Sequence, residues 1–146
     1  MPLNESDKTP SKSFWFIAYG ALIWNIIGII TFMMTVTISP EALELMPIEE
    51  RNLYTEIPLA ITVAYAIAVF GGTLACALLL LRKSIGVSAF VLSFVAIIVQ
   101  MGYTLLFSSV IEVQGLPALA LPFSIIIVAA CLVWYSMAVG KRGWYI

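Results

Sequence analysis

The sequence contains no histidine, and only 10% of it is charged. Without histidine the chain lacks the commonest metal ligand, the usual haem ligand and the side chain that titrates near neutral pH. Cysteine is scarce too. Cys76 and Cys131 are the pair present, and both sit inside apolar runs, where a free thiol behaves as a small hydrophobe. No disulfide framework or zinc spacing can be built from them. The net charge is −1, which gives nucleic acid nothing to hold. No nucleotide loop, Ser/His or Cys/His pair, or CxxC occurs. The sequence therefore predicts a non-enzyme, with no catalytic residue, no metal site and no cofactor.

What the chain does have is apolar residues, at 62%. A soluble domain holds about 45–50% apolar and roughly 25% charged residues. A larger core does not explain the excess, because a short soluble chain must clothe a large surface with polar groups. Lipid is then the solvent for most of the chain. Four uncharged runs, 14–36, 57–81, 85–108 and 118–139, stand out. Each exceeds the roughly 20 residues that a helix needs to cross about 30 Å of hydrocarbon. None alternates as a barrel strand would. The expected fold is all-α, a four-helix transmembrane bundle. The first run is too long for a signal peptide and no small-x-small cleavage site follows it, so it is expected to remain as a span.

The connections are short and polar. The tail 1–13 holds Pro2 and Pro10 and is expected to be disordered, and 140–146 forms a second tail. The loop 39–56 is the one substantial connection. Ser39-Pro40-Glu41 reads as a helix start: a capping serine, proline at the first helical position, then an acid at the positive end of the dipole. Pro47-Ile48-Glu49-Glu50 reads as a second start. Short amphipathic helices are expected there, with Ile48, Leu53, Tyr54 and Ile57 turned toward the bilayer.

Charge sets the orientation. Lys8, Lys12, Arg82, Lys83, Lys141 and Arg142 fall on one side of a four-span arrangement, and Arg51 alone falls on the other. The positive-inside rule then places both termini in the cytoplasm. Glu41, Glu44, Glu49, Glu50, Glu56 and Glu112 all fall outside. Trp15, Trp134, Tyr135, Trp144 and Tyr145 are placed at the inner interface, a depth that suits half-polar rings.

Helices surrounded by lipid associate through close packing at small residues and through interhelical hydrogen bonds. The second run carries a ridge at spacing four: Ala60, Ala64, Ala68, Gly72 and Cys76. The first offers Ala18, Ala21, Asn25, Gly28, Thr31 and Thr35, and the third Ala89, Ser93, Ala96, Gln100, Tyr103 and Thr104. These spacings put each set on one helix face. The fourth has the weakest stripe and is expected to meet the most lipid.

No charge lies within a span. Ion-coupled transporters and pumps usually place ionisable groups at depth. The small four-helix multidrug transporters use a buried glutamate in their first helix, and this chain has none there. The polar candidates are Asn25 near mid-membrane, and Tyr65, Gln100 and Tyr103 in the outer third. Glu56 stands at the outer mouth of the second span, to cap that helix or to guard a cavity. The five either line a shallow cavity open to the outside or bond the helices together.

Several segments resemble a family of small bacterial four-helix inner-membrane proteins that is often labelled "sugar transporter". They are Ala21-Leu22-Ile23-Trp24-Asn25 with Gly28, Ser39-Pro40-Glu41-Ala42-Leu43 and Tyr54. The resemblance continues through Tyr65 to Leu74, Leu79 to Lys83, Gln100-Met101, Trp134-Tyr135 and Gly143-Trp144. It implies a bacterial inner membrane and brings no site residue with it. Two functions stay open: an accessory protein meeting lipid, a larger membrane complex or its own copies, and a carrier or binding protein for a small solute such as a sugar.

Overall fold

The computed structural model describes residues 9–146, so Lys8 and the chain before it lie outside the described residues. In chain order the helices are α1 (Lys12–Val36), α2 (Pro40–Glu44), α3 (Ile48–Thr55), α4 (Leu59–Leu80), α5 (Gly86–Leu106), α6 (Val110–Gln114) and α7 (Ala120–Lys141). A 3-10 turn over Leu116–Leu119 leads into α7. Among the described residues there is no strand. Four helices, α1, α4, α5 and α7, are long and apolar enough to cross a membrane. Their connections collect Lys12, Arg82, Lys83, Lys141 and Arg142 at one end of the bundle and the described glutamates at the other. These are called the basic and acidic ends below.

Helix α1 packs on α4, α4 on α5, and α5 on α7. Helix α4 is the most covered of the four and α7 the least. The small-residue ridge explains why α4 is central. Ala64, Ala68, Gly72 and Cys76 are all buried. A Cβ added at Gly72 would run into the Asn25 carboxamide oxygen of α1 and come within 3.1 Å of Ser93 Oγ on α5. Glycine is thus needed where two helices converge on a third. Ser93 also ties the pair together, its hydroxyl donating to the Ala68 carbonyl at 2.7 Å. Gly28 of α1 lies against Val69, whose Cγ1 would stand 3.2 Å from an added Cβ. Ala60 departs from the expected ridge and is exposed. Toward the acidic end the α1–α4 contact passes from alanine and glycine to rings, with Phe32 edge-on to Tyr65 at 5.1 Å. Ala60, a further turn toward the acidic end, is not covered.

The basic end is closed by the chain after α7. Gly143, at φ 68°, ends α7 in a left-handed turn. There Trp144 N–H donates to the Val139 carbonyl at 3.3 Å and Gly143 N–H to the Gly140 carbonyl at 3.0 Å. This is the Schellman pattern, including its apolar contact between Trp144 and Val139. Trp144 was expected at the lipid interface. It is instead 6% exposed, edge-on to a fully buried Phe14 at 5.8 Å. The Arg142 guanidinium lies over its ring at 5.1 Å.

The turn between α4 and α5 repeats the pattern, with Lys83 N–H on the Leu78 carbonyl and Arg82 N–H on the Leu79 carbonyl. Arg82 occupies the left-handed position at φ 57°, where glycine would be unstrained. Its side chain accounts for the exception: Nε donates to the Trp144 carbonyl at 2.6 Å. Its own carbonyl accepts Ile146 N–H at 2.7 Å. Tyr145 adds a bond from its hydroxyl to the Ser136 carbonyl at 2.7 Å. Burial pushes its phenol up to about 12, and the nearby Tyr135 acts in the same direction. The segment 142–146 is therefore folded under the bundle and bonded to two of its elements.

At the acidic end α2 and α3 begin near the two expected starts. The Ser39 hydroxyl accepts Ala42 N–H at 3.2 Å, and Pro40 follows as the first helical residue. The Glu41 backbone N–H and the Ser39 hydroxyl hold the Glu41 carboxyl below its usual range. Pro47 precedes α3 as its N-cap. The apolar residues of this segment divide: Ile48 and Tyr54 are exposed, whereas Leu53 and Ile57 turn inward toward α6. Arg51 braces the pair. Its Nε donates to the Leu43 carbonyl at 2.8 Å, and Nη2 reaches the Glu44 and Met46 carbonyls at 3.1 and 3.4 Å. The connection before α7, expected to be a loop, holds the short helix α6 and a Gly115 turn at φ 79°.

Candidate functional site

Phe14, Ala18, Ala21, Ala75, Cys76, Leu79, Phe90, Val139 and Trp144 form one buried cluster filling the basic half of the bundle. The acidic half is not filled. A groove of about 420 Å³ runs there between α1 and α7, with α4 and α5 as its floor. That volume lies within the roughly 300–1,000 Å³ usual for small-molecule sites. Trp24, Ile27, Gly28 and Thr31 form the α1 wall, and Ala118, Leu121, Pro122 and Ile125 the opposite one. Pro122 can stand so near the start of α7 because the first turn has few intrahelical N–H bonds to lose. Val110 and Gln114 of α6 stand at the acidic mouth. Toward the basic end the space narrows to about 30 Å³ between Trp24, Phe90, Ile97 and Leu132.

Asn25 marks that narrowing. Its Nδ2 donates to the Ala21 carbonyl at 2.9 Å and to Cys76 Sγ at 3.4 Å, so the amide bonds α1 to α4 while also lining the groove. Tyr65 and Gln100 line it as well. Among the described residues, neither the Tyr65 hydroxyl nor the Gln100 carboxamide has a hydrogen-bond partner, and no polar side-chain atom is both fully buried and unpaired. These groups therefore open into the groove. Thr31 and Thr104 also line it, but their hydroxyls are bonded to the Ile27 and Gln100 carbonyls of their own helices.

Glu56 and Tyr103 are elsewhere. They line a separate cavity of about 460 Å³ at the acidic surface, between α3, α6 and the end of α5. Glu49, Glu50 and Glu112 share it. The Tyr103 hydroxyl lies 3.5 Å from the Glu56 carbonyl, at the limit of a hydrogen bond. The expected cap is not formed: α4 starts after Pro58 with no side-chain cap, and Glu56 instead ends α3. Among the described residues no three of His, Cys, Asp or Glu come together as a metal site.

The five candidates thus fall into two sets, Asn25, Tyr65 and Gln100 in the groove and Glu56 with Tyr103 outside it. Sequence reasoning did not see Trp24 as a wall, and it missed Gln114 altogether. The one hint for Gln114 was an uncharged amide just before a glycine in an otherwise apolar connection. The groove offers shape, apolar surface and a few uncharged hydrogen-bonding groups, with no charged side chain in its lining. Comparison of the chain with protein-family models, with curated proteins and with solved structures finds no match.

Proposed function

We propose that this chain is a multi-pass inner-membrane protein with both termini in the cytoplasm. It serves as a non-catalytic accessory that holds a small amphipathic molecule in the groove between α1 and α7. The observation that carries the reading is the unpartnered Gln100 amide inside a mostly apolar groove. An amide at hydrocarbon depth without a partner costs free energy of a few kcal/mol. An occupant with an apolar body and one hydrogen-bonding group removes that cost. Orientation follows from the basic end, which carries every described Lys and Arg except Arg51.

The test is a thermal-shift screen of amphipathic compounds on the purified protein, since a ligand of the folded state raises the melting temperature. At least one compound should stabilise the wild type and fail to stabilise Thr31→Phe, which fills the groove. If no compound does so, the binding reading is wrong.

The second reading, a sugar carrier, draws on the same Tyr65, Gln100 and Gln114 groups, which are of the type that pair with hydroxyls. The sealed basic half and the apolar walls weigh against a path through one chain, so a carrier needs several copies or a different state. Sugars in the same screen separate the two.

A further inference from the structure

We infer that the occupant is an acyl chain of a zwitterionic phospholipid from the leaflet at the acidic end, entering sideways between α1 and α7. This rests on the binding reading above and names its ligand. Three observations converge on it. The lips of the groove, Trp24, Ile27 and Leu121, are 41%, 55% and 64% exposed, and they lie within helices long enough to span a bilayer. The mouth thus faces hydrocarbon, while Val110 and Gln114 stand across the end that faces water. A molecule already in the leaflet has the shorter route.

The second observation is polarity. Bare lipid tails fill apolar space but leave the Tyr65 hydroxyl and the Gln100 amide unpaired. The ester carbonyls of a glycerolipid accept hydrogen bonds from both, at the junction where an acyl chain begins. The third is charge. The groove lining has no cation, and α6, which closes its water-facing end, also borders the cavity that carries Glu49, Glu50, Glu56 and Glu112. Arg51, the cation of that end, is turned onto the Leu43, Glu44 and Met46 carbonyls. An anionic headgroup is repelled there, and one that carries an ammonium is favoured.

The experiment uses the full chain in nanodiscs containing phosphatidylethanolamine with a diazirine in one acyl chain, and maps the crosslinks by mass spectrometry. Crosslinks should concentrate on 24–31 of α1 and 121–125 of α7. They should fall about tenfold in Thr31→Phe, equivalent to about 1.4 kcal/mol of lost affinity. Leu121→Trp, at the opposite lip, should give the same fall and serves where Thr31→Phe does not fold. A phosphatidylglycerol probe with the same diazirine should label the groove less. Equal labelling by both probes overturns the headgroup assignment. Crosslinks spread evenly over the exposed faces, on Phe16 and Ile30 as often as on Ile27, overturn the lipid assignment. If that happens while a soluble compound still stabilises the wild type and not Thr31→Phe, only this inference fails. If neither probe nor compound engages the groove, the binding reading fails with it.

Discussion

The two halves of the bundle are built from the same four helices, yet one is full and the other hollow. In the basic half, alanines, glycines and a cysteine bring α1, α4 and α5 close, and Phe14, Val139 and Trp144 fill the remaining space. In the acidic half, Phe32 meets Tyr65 edge-on between α1 and α4, and a groove lies between α1 and α7. The contrast shows that one set of helices can be packed solid along one half and leave a groove along the other. It also shows that closing an end takes an added segment, supplied at the basic end by 142–146.

Substitutions in each half should then behave differently. The largest effect is expected from Gly72→Leu, which forces a branched side chain into Asn25 and Ser93. Overpacking costs about 1–3 kcal/mol or more, so folded yield and melting temperature in detergent should fall sharply. An unchanged melting temperature would show that α4 is not pinched between its neighbours. Trp144→Ala should come next. Its cost should be below the roughly 3–5 kcal/mol of a soluble core, because the packing it loses is partly replaced by lipid or water. Denaturant titration reads it, and a null result would mean that the fold-back does not stabilise the closed end.

Arg82 allows a finer test. Arg82→Gly and Arg82→Ala both lose the bond to Trp144, but only alanine keeps the left-handed strain. Alanine should therefore be the less stable of the two by about 1 kcal/mol; equal stabilities would remove strain from the account. In the hollow half, Asn25→Leu should cost about 0.6 kcal/mol, typical of interhelical hydrogen bonds in membranes. Gln100→Leu should cost nothing, or stabilise the empty protein. A Gln100 variant as damaging as the Asn25 variant would mean that both residues bond helices together.

The smallest effect concerns pH. The Tyr145 phenol has a raised value in the folded protein, about 12 against an ordinary 10. Its contribution is fully present below pH 10 and is lost as pH rises toward 12. The difference in stability between wild type and Tyr145→Phe should shrink over that window, and a difference independent of pH would rule the phenol out.

The spans were readable from the sequence because lipid demands long uncharged runs and leaves little choice of structure. The ridge through Ala64, Ala68, Gly72 and Cys76 was readable because a spacing of four defines a helix face. Ser39 and Pro40 announced α2 through local backbone chemistry. What stayed hidden depends on which helix faces which. Periodicity says that Tyr65, Gln100 and Tyr103 share a depth, but not that Tyr103 points to a different cavity. Composition says that Trp144 prefers an interface, but not that Gly143 turns it back under Phe14. Arg82 gave no hint of its left-handed backbone, since only its bonds to the 144–146 segment make that conformation worthwhile.

Arg51 carries a consequence for what the acidic end can hold. A guanidinium occupied with the carbonyls of Leu43, Glu44 and Met46 is a peg holding α2 against α3. Its unit charge remains, but with Nε and Nη2 spent on carbonyls it keeps few donors for an anionic group arriving from outside. A lysine introduced at the exposed Glu49 would have all its donors free, so it should draw anionic groups to that surface in a way that Arg51 does not.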